Sequence, residues 1–103
     1  MQCRLPAIIV VSLLLETIAA YSSQADTGKG SQLAQQWCAS CHVTSSSRAG
    51  NVQEGLPSFP VIARTRTAEQ LRAFLSHPHG AMPDLSLTRA EIDDLVGYIE
   101  TLR

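Results

Sequence analysis

Apolar residues along this chain change period from segment to segment. Leu5 to Leu15 form a nearly unbroken apolar run after Arg4, too short to span a bilayer comfortably and broken off by Glu16. From Asp26 the period becomes helical. Leu33, Ala34, Trp37, Cys38 and Cys41 recur at i, i+1, i+4, i+5 and i+8, which predicts a helix capped by Asp26 or Thr27 with both thiols on its buried face. Residues 43–66 lose the pattern. Ser45-Ser46-Ser47, Gly50-Asn51 and Gly55-Leu56-Pro57-Ser58-Phe59-Pro60 predict a loop-rich stretch, with a single helical turn at Val61 to Arg64. Thr67-Ala68-Glu69-Gln70 is a capping box, followed by Leu71, Phe74 and Leu75 at helical spacing and a stop near Ser76 imposed by Pro78. Thr88 and Glu91 frame a second box. Ile92, Leu95, Val96, Ile99 and Leu102 continue from it as an apolar stripe with Tyr98 at its edge. No strand is predicted, so the fold class is all-α.

The segment Trp37-Cys38-Ala39-Ser40-Cys41-His42 turns this helical pattern into a cofactor protein. Two cysteines two residues apart, with histidine directly after the second, match the c-type haem attachment sequence C-x-x-C-H. Cys38 and Cys41 would add across the two haem vinyl groups as thioethers. His42 would then lie under the iron, where a neutral imidazole Nε2 serves as proximal ligand. Residues 43–66, with Leu56, Phe59, Val61 and Ile62 needing cover, would lie over a haem face. Two other readings compete. A zinc site would recruit His77 and His79, but their spacing is not the H-x₃₋₅-H of such sites. A thioredoxin-like dithiol would place the first cysteine at a helix N-terminus within a βαβ pattern, whereas here the helix precedes it.

Iron held by one histidine keeps an open side. Met82, in the irregular stretch His77-Pro78-His79-Gly80-Ala81-Met82-Pro83, is the preferred sixth ligand, a soft neutral thioether that favours reduced iron. His77 and His79 are its rivals and would give bis-histidine iron at lower potential. A lone methionine outside such a context would be read as core filler.

Length and composition sharpen the picture. The chain has 103 residues, one domain at most. The apolar run reads as a secretory signal peptide with small-residue cleavage sites after Ala20 or Ala25; the second is preferred because Ser23 and Ala25 fit the small positions. The alternative is an uncleaved anchor. The expected division is therefore a signal peptide over 1–25 and a mature domain over 26–103. Cys3 would leave with the signal, and Cys38 and Cys41 would be the mature chain's thiols in an oxidising, periplasmic or otherwise exported, location. A mature segment of roughly 78 residues lies where a core alone is marginal, and a covalent haem would staple it. Net charge is −1, without a basic block, so nucleic acid and anionic membrane surfaces are not expected partners.

With these residues in view, the chain resembles a small, single-haem, bacterial-type class I cytochrome c over nearly all of 26–103. The resemblance rests on a first helix ending in C-x-x-C-H, a proline-containing loop, a late Met82-Pro83 and a last helix reading Asp94-Leu95-Val96-Gly97-Tyr98-Ile99. It implies three to five short helices wrapped around one haem c attached through Cys38 and Cys41. It also implies that the first and last helices cross at Gly30 against Leu95 and Tyr98, where the residue pattern alone would equally allow a frayed first turn. Pro57 matches the family's proline whose carbonyl accepts the Nδ1 proton of the ligand histidine, fixing its tautomer. Two positions depart from the better-known members. Ala34 stands where an aromatic is usual, with Trp37 as a partial substitute, and in place of a mid-chain tryptophan Arg64 and Arg66 are the candidate propionate partners, at least one of them reading instead as a solvated loop arginine.

The implied function is an exported electron carrier, not an enzyme, that passes single electrons between transient redox partners through a His42/Met82-ligated haem. It would work as a monomer with no stable membrane insertion once the signal is removed. The alternatives are a haem subunit permanently bound to a dehydrogenase or oxidase, and a haem sensor with an open iron site.

Overall fold

The computed structural model describes residues 24–46, 55–78 and 80–103. The apolar run at 5–15, Cys3, the Ala20 cleavage site, Gly50-Asn51 and His79 lie outside them. All regular structure among the described residues is helical: α1 (Thr27–Leu33), which runs straight into a π-helical turn (Ala34–Cys38), then α2 (Phe59–Thr65), α3 (Ala68–Ser76) and α4 (Arg89–Glu100).

Asp26 caps α1, its Oδ1 accepting from the Lys29 N–H at 3.0 Å. Its own N–H donates to Asp94 Oδ1 at 2.7 Å, tying the start of α1 to α4. The two helices then meet at Gly30. A Cβ there would stand 2.0 Å from the Asp94 carbonyl oxygen and 2.8 Å from Tyr98 Cβ, so only a residue without a side chain permits this approach. Gly30 is thus a crossing point and not a frayed turn. Its nearest neighbours are Asp94 and Tyr98, while Leu95 is 2% exposed in the adjoining core.

The helical spacing of Leu33 to Cys41 places Trp37 on the buried face, and there the structure differs. The Ala39 N–H donates to the Ala34 carbonyl at 3.0 Å, five residues back, so the last turn before the cysteines holds an extra residue. That widening rotates the turn out of the α-helical register. Ala34 and Cys38 are buried, but Trp37 is 52% exposed and does not substitute for an aromatic at Ala34.

The loop-rich segment holds a longer helix than the single turn predicted. Ser58 caps α2 by accepting from the Val61 N–H, and Pro60 sits in the first turn, where no N–H is required. A proline that reads as a breaker is here a starter. Phe59 and Ala63 turn inward, while Leu56 and Val61 remain exposed.

Both capping boxes form, Thr67 with Gln70 and Thr88 with Glu91. Helix α3 ends at Ser76, as Pro78 requires. Its Leu71 and Leu75 join Ile92, Leu95, Val96 and Ile99 of α4 in one core with Ala34, Cys38, Phe59 and Ala63. Arg72 and Asp93 pair across the α3–α4 seam at 2.8 Å.

Candidate haem-binding site

Cys38 closes the π turn, and the chain then tightens so that the Cys41 and His42 N–H groups both donate to the Cys38 carbonyl, at 3.1 and 2.9 Å. The attachment segment is therefore a single compact turn. Neither cysteine is tied up in a disulfide; Cys38 is buried and Cys41 half-buried. Burial, and secondarily the neighbouring Cys41, pushes the Cys38 thiol above its ordinary pKa. Cys38 closes its helical turn instead of opening a helix, so no helix N-terminus stands by to lower its pKa as a thioredoxin-like dithiol needs. Among the described residues no three histidine, cysteine or carboxylate side chains gather as a metal-binding group.

His42 is held from its far side. Its Nδ1 lies 2.7 Å from the Pro57 carbonyl oxygen, which can only accept. In the neutral ring the proton therefore resides on Nδ1, and Nε2 carries the lone pair that a metal needs. The same stretch of chain grips the segment twice more. The Phe59 N–H donates to the Val43 carbonyl at 2.8 Å, and the Phe59 ring lies 5.9 Å from the His42 ring at 48°. Phe59 in turn meets Tyr98 at 6.5 Å and 57°, and the Tyr98 hydroxyl donates to the Thr44 carbonyl. Phe59, Thr44 and the Tyr98 hydroxyl are not marked as site residues by any motif, because each acts through tertiary contact alone.

Met82 lies between α3 and α4, partly buried against the core. His77, at the C-cap of α3, is exposed, as are Arg64 and Arg66. A cavity of about 290 Å³ lined by Arg72, Ser76, Leu87, Arg89, Ile92 and Asp93 shares no residue with the His42 cluster.

Paired cysteines on one turn outside any disulfide, an imidazole with Nε2 available and an apolar core beside them fit covalent haem. Together with the helical fold, this donor set defines a c-type cytochrome domain. The family described as cytochrome c oxidase, cbb3-type, subunit III matches residues 25–99. Cytochrome c-552 of Bradyrhizobium diazoefficiens is 40% identical over 97 residues, covering 90% of this chain and 92% of that protein. The chain belongs to this cytochrome c family and is a small class I cytochrome c with the all-α fold. No solved structure matches the chain significantly. Its cofactor is covalently bound haem c, for which Cys38, Cys41 and His42 supply the C-x-x-C-H sequence, and its role is electron transfer with redox proteins.

Proposed function

We propose that the protein is an exported carrier that moves single electrons through a haem ligated by His42 and Met82. Haem supplies the Fe(II)/Fe(III) couple; the chain fixes both ligands so that little rearranges on electron transfer. The Nδ1 bond of His42 to the Pro57 carbonyl carries the reading, since it leaves Nε2 available. Met82 is favoured over His77 because it packs against the core while His77 is exposed. A haem held by both His42 and Met82 would leave no open iron position for substrate, which supports a carrier over an enzyme.

Residues 1–25 act as a cleaved signal peptide, and residues 26–103 form the mature, monomeric domain. No helix among the described residues is long and apolar enough to cross a membrane. Partners bind transiently through the small, weak interfaces that permit turnover. The matched family's description as an oxidase subunit supports a second reading, in which the domain is a permanent haem subunit.

An absorption spectrum of the protein, expressed with a haem-attachment system, tests the ligand set. A weak near-infrared charge-transfer band in the oxidised form is expected, and a low-spin spectrum without it would reassign the sixth ligand to His77 or His79. Elution as a monomer supports the carrier; persistent co-purification with an oxidase or dehydrogenase would replace it with the subunit.

A further inference from the structure

We propose that Phe59, braced by Tyr98, is a positioning residue that sets the plane of the His42 imidazole. This rests on His42 being the iron ligand. A hydrogen bond from Nδ1 to the Pro57 carbonyl pins one atom of the ring, yet the ring can still swing about the N–H···O line. A second, off-axis contact is needed to fix the plane. The Phe59 ring provides it, at 5.9 Å and 48°, a tilted arrangement within the range aromatic pairs favour.

Phe59 is itself immobilised on three sides. Its N–H is tied to the Val43 carbonyl, it is 4% exposed, and its ring meets Tyr98 at 57°. Tyr98 is anchored by its hydroxyl to the carbonyl of Thr44, two residues beyond His42. The contacts form a closed circuit, from His42 through Val43 and Thr44 to Tyr98, on to Phe59, and back to His42. Displacing any member strains the others, so the imidazole inherits the rigidity of α4.

The orientation of an axial imidazole governs how unpaired spin spreads over the porphyrin. Proton NMR of the oxidised holoprotein therefore reads it through the hyperfine-shifted haem methyl resonances. Phe59→Leu should change the order or spread of these resonances, and Phe59→Tyr should keep the wild-type pattern. Tyr98→Phe, which retains both rings and removes only the brace, should produce a smaller change. Thr67→Ala, which removes the α3 cap and so lowers stability without touching a member of the circuit, should leave the pattern in place. An unchanged pattern in Phe59→Leu overturns the proposal, as does an equal change in Thr67→Ala. Should Phe59→Leu fail to fold, an unchanged pattern in Tyr98→Phe overturns it instead. Failure of the underlying ligation is recognised separately, because the wild-type spectrum would then lack hyperfine-shifted imidazole protons from His42.

Discussion

Substituting Gly30 by alanine tests the α1–α4 crossing directly. The added Cβ would lie 2.0 Å from the Asp94 carbonyl oxygen and 2.6 Å from the Asp94 carbonyl carbon. Both atoms are backbone, so no side chain can swing aside. Restoring ordinary contact requires the helices to part by roughly 1.4 Å, in a core whose packing tolerates little displacement. Overpacking of this kind costs about 1–3 kcal/mol. Parting also stretches the bond from the Asp26 N–H to Asp94, which contributes on the order of 1 kcal/mol. Against this, alanine gains about 1 kcal/mol of helix propensity over glycine. The net expectation is a loss of ~2 kcal/mol, measured on the holoprotein by guanidinium denaturation followed by far-ultraviolet circular dichroism. Gly28→Ala, in the same helix, meets only the Asp26 carboxylate at 3.2 Å and should change stability by less than ~1 kcal/mol. If Gly30→Ala proves as stable as the parent, or stabler, the crossing is not held by that contact and the account of α1 and α4 fails.

Three other substitutions have defined outcomes. Met82→Ala should turn the oxidised protein high-spin and let the reduced form bind carbon monoxide rapidly; a retained low-spin spectrum would exclude Met82 as ligand. Thr88→Ala removes the cap of α4 and should cost about 1 kcal/mol in the same denaturation assay, with Ser or Asp at that position recovering most of it. Arg72→Ala should cost less than about 0.5 kcal/mol, since the ion pair with Asp93 is half exposed, and any loss should shrink further at high salt; a larger effect would show that the Arg72 stem packs the α3–α4 seam.

How much of the fold and site is legible in the chain depends on the range of each interaction. The boxes at Thr67 and Thr88 are complete within four residues, so both helix starts are visible in the sequence. The attachment sequence is equally local. Gly30 is different: its need for a missing side chain is set by Asp94 and Tyr98, far along the chain, and only a family resemblance points to it. Pro57 acts through a carbonyl that every residue possesses, so its side chain carries no signal of the bond to His42. Two features mislead. Trp37 fits an α-helical apolar face, but the wider turn at Ala34–Cys38 carries it outward. Pro60 suggests a loop, yet beside the Ser58 cap it opens α2.

The circuit around His42 also dictates an order of events. Synthesis proceeds from the N-terminus, so Cys38, Cys41 and His42 emerge well before Tyr98. At ~5–20 residues per second the interval lasts several seconds. During it, the ribosome has yet to deliver the last member of the circuit. Until then the C-x-x-C-H segment lacks the partner that closes its circuit, and the imidazole acquires its final bearing only when the terminal helix docks.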